Sequence, residues 1–367
     1  MVVYAVMRAP FACKDFHVRT SRRFGPPQIL KSSNSQIAAR RAPGALAAVR
    51  RAAALVLALA SPVSAWNDTG HMVVAEIARR TLSEKSASHA SALLKLMADL
   101  YPENSTFVKA GPWPDVIRDE NPAYGPWHFI DKPINAAKLP SVPEPDPTNA
   151  VWALEQCVKT FRMKKDTRYD RRTVPEWNKA HEFQSGIMLR WFIHLAGDIH
   201  QPLHCAARFT QDHPQGDHGG NLFKMAGVEI CGENVSQLHT YWDWGAGVFP
   251  PQTCALKLTV EQVAREIMAA YPASSFPELQ RIKSGDWLSK QDSCFRQEFD
   301  AWAQEGFAIA GEQVYRLQEG SKPSDAYAAG ARETARKRAA LAGYRLALML
   351  NVLLPLQPAR DNLQPCK

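Results

Sequence analysis

The sequence lacks the features that would place it in several simple classes of protein. No two of its seven cysteines stand in a C-x-x-C arrangement, so a zinc site built from paired thiolates is a poor interpretation. Glycine accounts for 20 of the 367 residues and proline for 26, and no internal repeat is visible, which excludes collagen-like and repeat architectures. Patterns typical of β-strands are scarce. The remaining composition, 46% hydrophobic and 22% charged, is that of a chain able to bury a sizeable core.

Positive charge is concentrated at the start of the chain. Residues 1–65 contain ten lysines and arginines but a single acidic residue, Asp15. Residues 66–367 therefore carry 34 basic and 35 acidic residues, although the formal net charge of the whole chain is +8. A broad basic surface on residues 66–367 is thus excluded as the main means of binding a polyanion.

Residues 1–65 are interpreted as a leader. Two arginines precede an apolar run at 52–60, and a small-x-small cleavage signal, VSA, stands directly before Trp66. The run is too short to cross a bilayer as a helix, which takes roughly 20 residues. Residues 1–48 are long for a signal peptide, and an over-extended translation start is one explanation. We expect a secreted or periplasmic protein whose mature domain, residues 66–367, has no membrane attachment.

Cysteine usage agrees with export. The mature domain has an even number of cysteines, which is typical of disulfide-bonded proteins in an oxidising compartment. The sequence alone does not choose among the possible pairings. These cysteines are Cys157, Cys205, Cys231, Cys254, Cys294 and Cys366.

Helical patterning dominates the mature domain. Apolar residues recur at three- and four-residue spacing in seven segments, which predicts amphipathic helices. Loops rich in proline and glycine separate these segments, and only residues 222–230 offer a possible hairpin. We therefore predict a single all-α domain with long functional loops. The predicted helices are 72–82, 87–100, 150–163, 182–199, 260–270, 295–315 and 331–353.

The candidate chemistry is carried by histidines and carboxylates at helical spacing. In HLAGDIHQPLH, His194 and Asp198 are four residues apart, which places them on one face of a helix, and His204 follows where a proline must end that helix. In QLHTYWDW, His239 and Asp243 repeat the four-residue spacing. A helix that offers ligands at i and i+4 presents both to one metal ion, and imidazole with carboxylate suits zinc.

Two upstream motifs add to these pairs. WPD supplies Asp115, and WHFID supplies His128 between large aromatic residues. A lone His–Asp pair is more often a hydrogen bond than a metal site, but two pairs with further candidates favour a metal centre. His200, between two of the candidates, is interpreted as a supporting residue rather than a ligand.

Taken in order, these motifs resemble the zinc-dependent single-strand-specific nucleases and 3′-nucleotidases of the S-one/P-one type, a family related to bacterial zinc phospholipase C. The resemblance runs from Trp66 to the C-terminus and implies a mostly helical single domain. The motifs are WNDTGH (66–71), WPDVIR (113–118), WHFID (127–131), HLAGDIHQPLH (194–204), GDHGGN (216–221) and QLHTYWD (237–243).

The resemblance implies three zinc ions, held by histidine and aspartate side chains and by the first residue of the mature chain. Asp198 would bridge two ions, and the α-amino nitrogen and carbonyl oxygen of Trp66 would bind one of that pair. The implied ligands are Asp115, His128, His194 and Asp198 for the first ion, Trp66, His71 and Asp198 for the second, and His204, His239 and Asp243 for the third.

The resemblance also implies an activity. The protein would be a monomeric endonuclease that cuts single-stranded DNA and RNA through attack by zinc-bound hydroxide, leaves 5′-phosphorylated products and also acts on 3′-nucleotides. Asp131 would orient the attacking water, and Arg118 would neutralise charge on the phosphoryl oxygens. Phe129 would stack on a nucleobase, and Asn221 is a candidate for a contact to the base or backbone.

Several alternatives stay open at the level of sequence. Asp131 could cap a loop, Arg118 could form a surface ion pair, and Phe129 could pack in the core. The whole protein could be a zinc phospholipase C-like hydrolase or a non-catalytic, zinc-stabilised binding protein. Residues 205–233 look individual, and we expect them to shape substrate access without affecting the metal ligands.

Overall fold

Helices dominate the part of the chain that the structure describes. The computed structural model describes residues 66–163, 175–254, 259–283 and 292–354. The leader lies outside these residues, so the signal peptide and its cleavage site stay predictions. The helices are α1 (Asp68–Thr81), α2 (Glu84–Lys95), α3 (Trp113–Glu120), α4 (Ala150–Arg162), α5 (Pro175–Asp198), α6 (Leu238–Asp243), α7 (Val260–Ala270), α8 (Gln280–Lys283), α9 (Asp292–Glu312) and α10 (Asp325–Leu353).

The strands of the described residues are short and form two separate pairs. β1 (Lys132–Asn135) pairs in parallel with β2 (Ala206–Phe209), and β3 (Lys224–Ile230) pairs antiparallel with β4 (Glu233–Gln237). The all-α prediction is therefore confirmed, whereas the hairpin predicted at 222–230 extends further, because residues 224–230 form only its first strand. The parallel pair was not predicted, and α3 lies between the predicted helices 87–100 and 150–163, where a loop was expected.

The first helix begins directly after Trp66. Asn67 caps it, since its side-chain oxygen accepts a hydrogen bond from the backbone N–H of Gly70 at 3.0 Å. The Asn67 amide nitrogen also donates to the carbonyl of Phe249 at 2.6 Å, and its backbone N–H donates to the carbonyl of Asp243 at 3.3 Å. These bonds fix the chain around Trp66 against α6 and the loop that follows it.

One hydrophobic core lies between α1, α7 and α10. It includes Trp66, Val74 and Ile77, all fully buried. The approach of α10 to α1 is close, because a Cβ at Gly343 would lie 2.5 Å from Ile77 Cγ2. The apolar face of α1 is thereby buried, which leaves its first turn to face α5 and the candidate site.

The cysteines are only partly paired. Cys231, at the turn of the β3–β4 hairpin, forms a disulfide with Cys254, whereas Cys157 and Cys205 are buried free thiols. Burial raises the pKa of the Cys205 thiol to about 12, so it is unreactive at neutral pH. Among the described residues, no helix combines the length and apolar character needed to span a membrane.

Candidate metal centre

The last two turns of α5 present two candidate ligands on one face. His194 and Asp198 lie four residues apart, with His194 Nε2 3.1 Å from Asp198 Oδ2. His71, in the first turn of α1, faces the other oxygen, with its Nε2 3.2 Å from Asp198 Oδ1. The three side chains are fully buried, and their ligand atoms lie within 4.8 Å of one another. Residues that are distant in sequence thus form one compact group.

A second group shares His194. His128 places Nδ1 2.9 Å from His194 Nε2 and 3.1 Å from Asp198 Oδ2. Asp115, in the first turn of α3, places Oδ1 3.8 Å from His128 Nδ1 and 3.9 Å from His194 Nε2. The two oxygens of Asp198 therefore face two different groups, with His71 on one side and the pair of His128 and His194 on the other.

The third group is built on α6. His239 Nε2 lies 3.3 Å from Asp243 Oδ2, and His204 Nε2 lies 4.0 Å from Asp243 Oδ1. Backbone carbonyls orient both rings, since His204 Nδ1 donates to the carbonyl of His128 at 2.7 Å and His239 Nδ1 donates to that of Gly219 at 2.6 Å. A carbonyl can only accept, so each Nδ1 carries a proton, and in the neutral imidazole Nε2 then carries the lone pair that faces Asp243.

The protonation of these side chains suits divalent cations. Burial lowers the pKa of the three imidazoles in the first two groups, which keeps them neutral and able to donate a lone pair. Burial raises the pKa of Asp115 to about 6 and those of Asp198 and Asp243 well above the usual range. Nearby positive charge is therefore needed to hold these carboxylates ionised.

The contact between His71 and Asp198 supports the same conclusion. Both ring nitrogens of His71 and Oδ1 of Asp198 have no hydrogen-bond partner among the described residues. Leaving such buried polar atoms unsatisfied costs free energy, on the order of 1–3 kcal/mol for each group. A neutral imidazole nitrogen and a carboxylate oxygen that face each other are a donor set for a metal ion. The residues present therefore fit a bound cation.

Trp66 lies beside His71 at the start of the domain. Its ring packs edge-to-face on Phe249, with the centroids 5.0 Å apart. A Cβ at Gly197 would lie 2.8 Å from His71 Nδ1 and 3.5 Å from Trp66 Cδ1, so this glycine on α5 makes room for both rings. Gly197 was not among the predicted site residues, although a glycine inside a helical pattern, next to Asp198, is a signal of close approach.

The GDHGGN loop, within residues 205–233, orients a candidate ligand through its backbone. Gly219 has a φ of +61°, and its carbonyl accepts the hydrogen bond from His239. Asp217 anchors the loop, since its Oδ1 accepts hydrogen bonds from a backbone N–H of β2 at 2.9 Å and from the Tyr315 hydroxyl at 3.0 Å. The run of glycines signalled this loop, but its partner in the fold could not be read from sequence.

Arg118 lies at the edge of the centre. Its Nη1 is 2.8 Å from Asp115 Oδ1, and its Nη2 is 3.0 Å from Asp119 Oδ1. The Arg118 side chain is 9% exposed and that of Asp115 is 10% exposed, so this ion pair is buried, whereas Asp119 is exposed. A cavity of about 400 Å³ reaches both Asp115 and Arg118, and Asp68 and Lys109 also line it. The guanidinium is thus accessible to a ligand in this cavity.

Asp131 is placed beside His204 by the pairing of β1 with β2. The residues on either side of Asp131 donate backbone hydrogen bonds to the carbonyls of His204 and Cys205, at 2.7 and 3.3 Å. Burial and the neighbouring Asp217 carboxylate raise the pKa of Asp131 to about 7. The parallel strands therefore bring the backbone at Asp131 beside that of His204, which belongs to the third group.

The two candidate substrate-binding residues occupy different positions. Phe129 follows His128, is partly exposed, and its carbonyl accepts a hydrogen bond from the backbone N–H of Ala150 at 3.0 Å. Asn221 uses its amide nitrogen within its own loop, where it donates to the carbonyl of His218 at 2.7 Å. Neither residue lines the cavity at Arg118. Phe129 lies outside the buried core and beside a candidate ligand.

The fold and the three groups together define a class of protein, namely a helical domain with a candidate polynuclear histidine–aspartate metal centre. The chain belongs to the S1/P1 nuclease family, because the family model described as S1/P1 Nuclease matches residues 66–355. The resemblance found in the sequence is therefore confirmed. Family membership makes the protein a nuclease, a hydrolase of phosphoric ester bonds.

Individual relatives are distant but cover much of the chain. Nuclease S1 of Aspergillus oryzae is 24% identical over 245 residues, which is 65% of this chain and 70% of the relative. Endonuclease 3 of Arabidopsis thaliana is 25% identical over 305 residues, which is 78% of this chain and 88% of the relative. Endonuclease 4 of the same plant is 23% identical over 309 residues, covering 80% and 90%.

Proposed function

We propose that the protein is an exported, monomeric, zinc-dependent phosphodiesterase that cuts single-stranded DNA and RNA to 5′-phosphorylated products and also acts on 3′-nucleotides. The observation that carries this proposal is the position of Asp198, whose two oxygens face two different groups of buried ligands. A carboxylate in this position would help to hold two metal ions, which would supply the chemistry of a two-metal phosphodiesterase. The disulfide between Cys231 and Cys254 supports export, because such bonds persist in oxidising compartments.

The three groups would hold three zinc ions. Neutral imidazole nitrogens and carboxylate oxygens are ligands that zinc favours, and backbone carbonyls orient His194, His204 and His239 as is usual for zinc ligands. The backbone nitrogen and carbonyl of Trp66 would complete the site of His71, next to which Trp66 lies. When bound, zinc ions act as Lewis acids that acidify water and neutralise phosphate charge.

Asp131 and Arg118 would act on the substrate and the attacking water. Asp131, held beside His204 by the β1–β2 pair, would accept a hydrogen bond from the water and align it with phosphorus. Arg118 lines the cavity that reaches Asp115 and would donate to the phosphoryl oxygens as charge develops. A guanidinium is suited to this role because it stays charged and donates in a planar fork.

Preference for single strands would come from stacking rather than from a basic groove. Residues 66–367 carry no net positive excess, so electrostatic attraction to the backbone is limited. Phe129 is partly exposed directly after His128, and a base can lie on its ring only when it is released from its duplex partner. Asn221 would contribute a contact to the base or backbone through its side-chain oxygen.

The proposal is tested with the mature domain, residues 66–367, loaded with zinc. We expect three zinc ions per chain by atomic emission, cleavage of a single-stranded oligonucleotide to 5′-phosphate ends, and slow cleavage of the matching duplex. Release of diacylglycerol from phosphatidylcholine without nucleotide release would identify a phospholipase C-like enzyme instead. Full zinc loading without hydrolysis of either substrate would identify a binding protein.

Replacing Asp131 with asparagine is expected to preserve the zinc content but to lower kcat about 100-fold or more, since the amide cannot accept the proton of water as a carboxylate does. Metal analysis and steady-state kinetics measure the two effects separately. The matched control is Asp300→Asn, which alters a half-exposed carboxylate on α9. Loss of zinc in the Asp131 variant would instead make this residue a ligand.

Replacing Phe129 with alanine is expected to weaken the binding of single strands by on the order of 1–3 kcal/mol, because one stacked base is lost. KM for an oligonucleotide rises, whereas hydrolysis of a small phosphodiester without a base is unchanged. The control Phe129→Tyr keeps the aromatic face and retains the affinity. An equal loss on both substrates would indicate disturbed packing around His128 rather than a lost stack.

A further inference from the structure

The segment from Asp198 to His204 connects the two halves of the candidate metal centre. Asp198 belongs to the first groups and His204 to the third. Between them, Gln201 reaches the third group directly, since its Nε2 donates to Asp243 Oδ1 at 2.7 Å while its Oε1 accepts from the backbone N–H of Leu203 at 2.6 Å. The conformation of this short segment therefore sets where the third group lies relative to Asp198.

His200, in the middle of this segment, is held from the opposite side. Its Nδ1 donates to the carbonyl of Ala196 at 2.7 Å, and its Nε2 accepts from Arg345 Nη1 at 2.9 Å. Its backbone carbonyl accepts from Arg338 Nε at 3.0 Å. Both ring nitrogens are thus engaged away from the metal ligands, which supports the interpretation of His200 as a supporting residue. The ring is fully buried.

The two arginines come from α10 and share one carboxylate on α9. Arg345 makes a bidentate pair with Glu305, with both nitrogen–oxygen distances at 2.7 Å, and Arg338 Nη1 lies 2.8 Å from the same carboxylate. Arg345 is fully buried and lies over the Trp302 ring, 5.1 Å from its centroid. The arginines are therefore fixed in position and cannot follow a shift of His200.

Burying two arginines against one carboxylate costs free energy, because the charged groups lose their hydration. Apolar side chains of similar volume often stabilise a fold as well as a buried ion pair or better. A bidentate pair, in contrast, fixes the orientation of the guanidinium, and with it the directions of the arginine N–H groups that do not bind the carboxylate. Both arginines use an N–H to donate a hydrogen bond to His200: Arg345 Nη1 donates to the ring, and Arg338 Nε donates to the backbone carbonyl. The fixed directions of these two bonds therefore restrict the position of His200.

We propose that Glu305, Arg338 and Arg345 form a positioning unit that acts through His200 and Gln201 to fix the third metal group relative to Asp198. The proposal deepens the proposed function and rests on it for the identity of the metal. The unit touches neither substrate nor metal. It acts by holding the backbone between the two halves of the centre.

The test is Arg345→Met, which removes the bond to His200 and keeps an apolar side chain of similar length. We expect one zinc ion to be lost at a chelator concentration at least tenfold lower than for the wild type, as is typical when the residues that orient ligands are removed. With full zinc supplied, kcat on a single-stranded oligonucleotide falls tenfold or more while KM changes less than threefold. The cobalt-substituted protein shows an altered visible absorption spectrum.

Two further variants keep the test decisive if Arg345→Met does not fold. His200→Gln retains an acceptor for Arg345 and is expected to hold its third ion better than His200→Leu, which retains none. The control Lys337→Met removes an exposed cation from the same helix, one that pairs with exposed Glu333 and lies over the Tyr271 ring, and it behaves as the wild type. Equal zinc retention in both His200 variants and the control would overturn the proposal. If the wild type fails to cut single strands, the proposed function fails, but the zinc retention still decides the positioning role.

Discussion

Replacing Asp198 with asparagine is expected to reduce nuclease activity roughly a thousand-fold or more and to lower the zinc content of the protein. Each Asp198 oxygen faces a different group of ligands, so a neutral amide weakens two sites at once. Bound metal contributes several kcal/mol of transition-state stabilisation, and each loss of about 1.4 kcal/mol is tenfold in rate. Atomic emission and single-turnover kinetics on an oligonucleotide measure both effects.

The control for this variant is Asp99→Asn, which changes an exposed aspartate that follows the C-terminal end of α2. It has the same change in charge and is expected to keep full zinc and full turnover. Unchanged zinc content together with normal turnover in the Asp198 variant would refute the assignment of the centre, since a side chain buried between His71, His128 and His194 could then be neutral without consequence.

A chain that carries extra residues before Trp66 is expected to hold one zinc ion fewer and to lose at least about 100-fold in activity. An internal Trp66 has an amide nitrogen, which is a poor ligand, whereas cleavage creates an α-amine with a pKa of roughly 7.7–8.0 that zinc can deprotonate. The residues around Trp66 are already held in position, because Asn67 donates hydrogen bonds to the carbonyls of Asp243 and Phe249. His71 lies one helical turn after Asn67. The new amine therefore needs little rearrangement to reach the site of His71.

The comparison is between the domain that starts at Trp66 and the same domain with one alanine added in front. Removal of the alanine by an aminopeptidase is expected to restore both zinc content and activity, while an alanine added after Lys367 is without effect. Full zinc and normal turnover in the extended protein would show that the mature N-terminus takes no part in the centre.

Local spacing explains why much of the candidate site could be predicted from sequence. The four-residue intervals between His194 and Asp198 and between His239 and Asp243 define helical faces without any tertiary information. The structure places each pair on one helix, with distances of 3.1 and 3.3 Å between imidazole and carboxylate. The hydrophobic periodicity located the long helices for the same reason, since both signals repeat within one turn.

Features that depend on long-range partners escaped the sequence analysis. β1 contains only four residues and one of them is Pro133, so its pattern gave no indication of the parallel pair that positions Asp131. The role of Gly219 depends on its contact with His239, and the role of Gln201 depends on its contact with Asp243. No pattern in the intervening sequence predicts either contact. α3 was missed because it is short and lies among prolines.

The disulfide lowers the conformational entropy of the unfolded segment that carries two ligands of the third group. Cys231 and Cys254 are 23 residues apart, and the ring that they close contains both His239 and Asp243. Closing a ring of this size lowers the conformational entropy of the unfolded chain, which stabilises the folded state by about 3 kcal/mol. An oxidised chain therefore has fewer conformations open to the segment that carries these two ligands before any metal binds, although His204 lies outside the ring. In a reducing compartment the segment that carries His239 and Asp243 would lose this restriction, so ordering of the third group favours the oxidised protein.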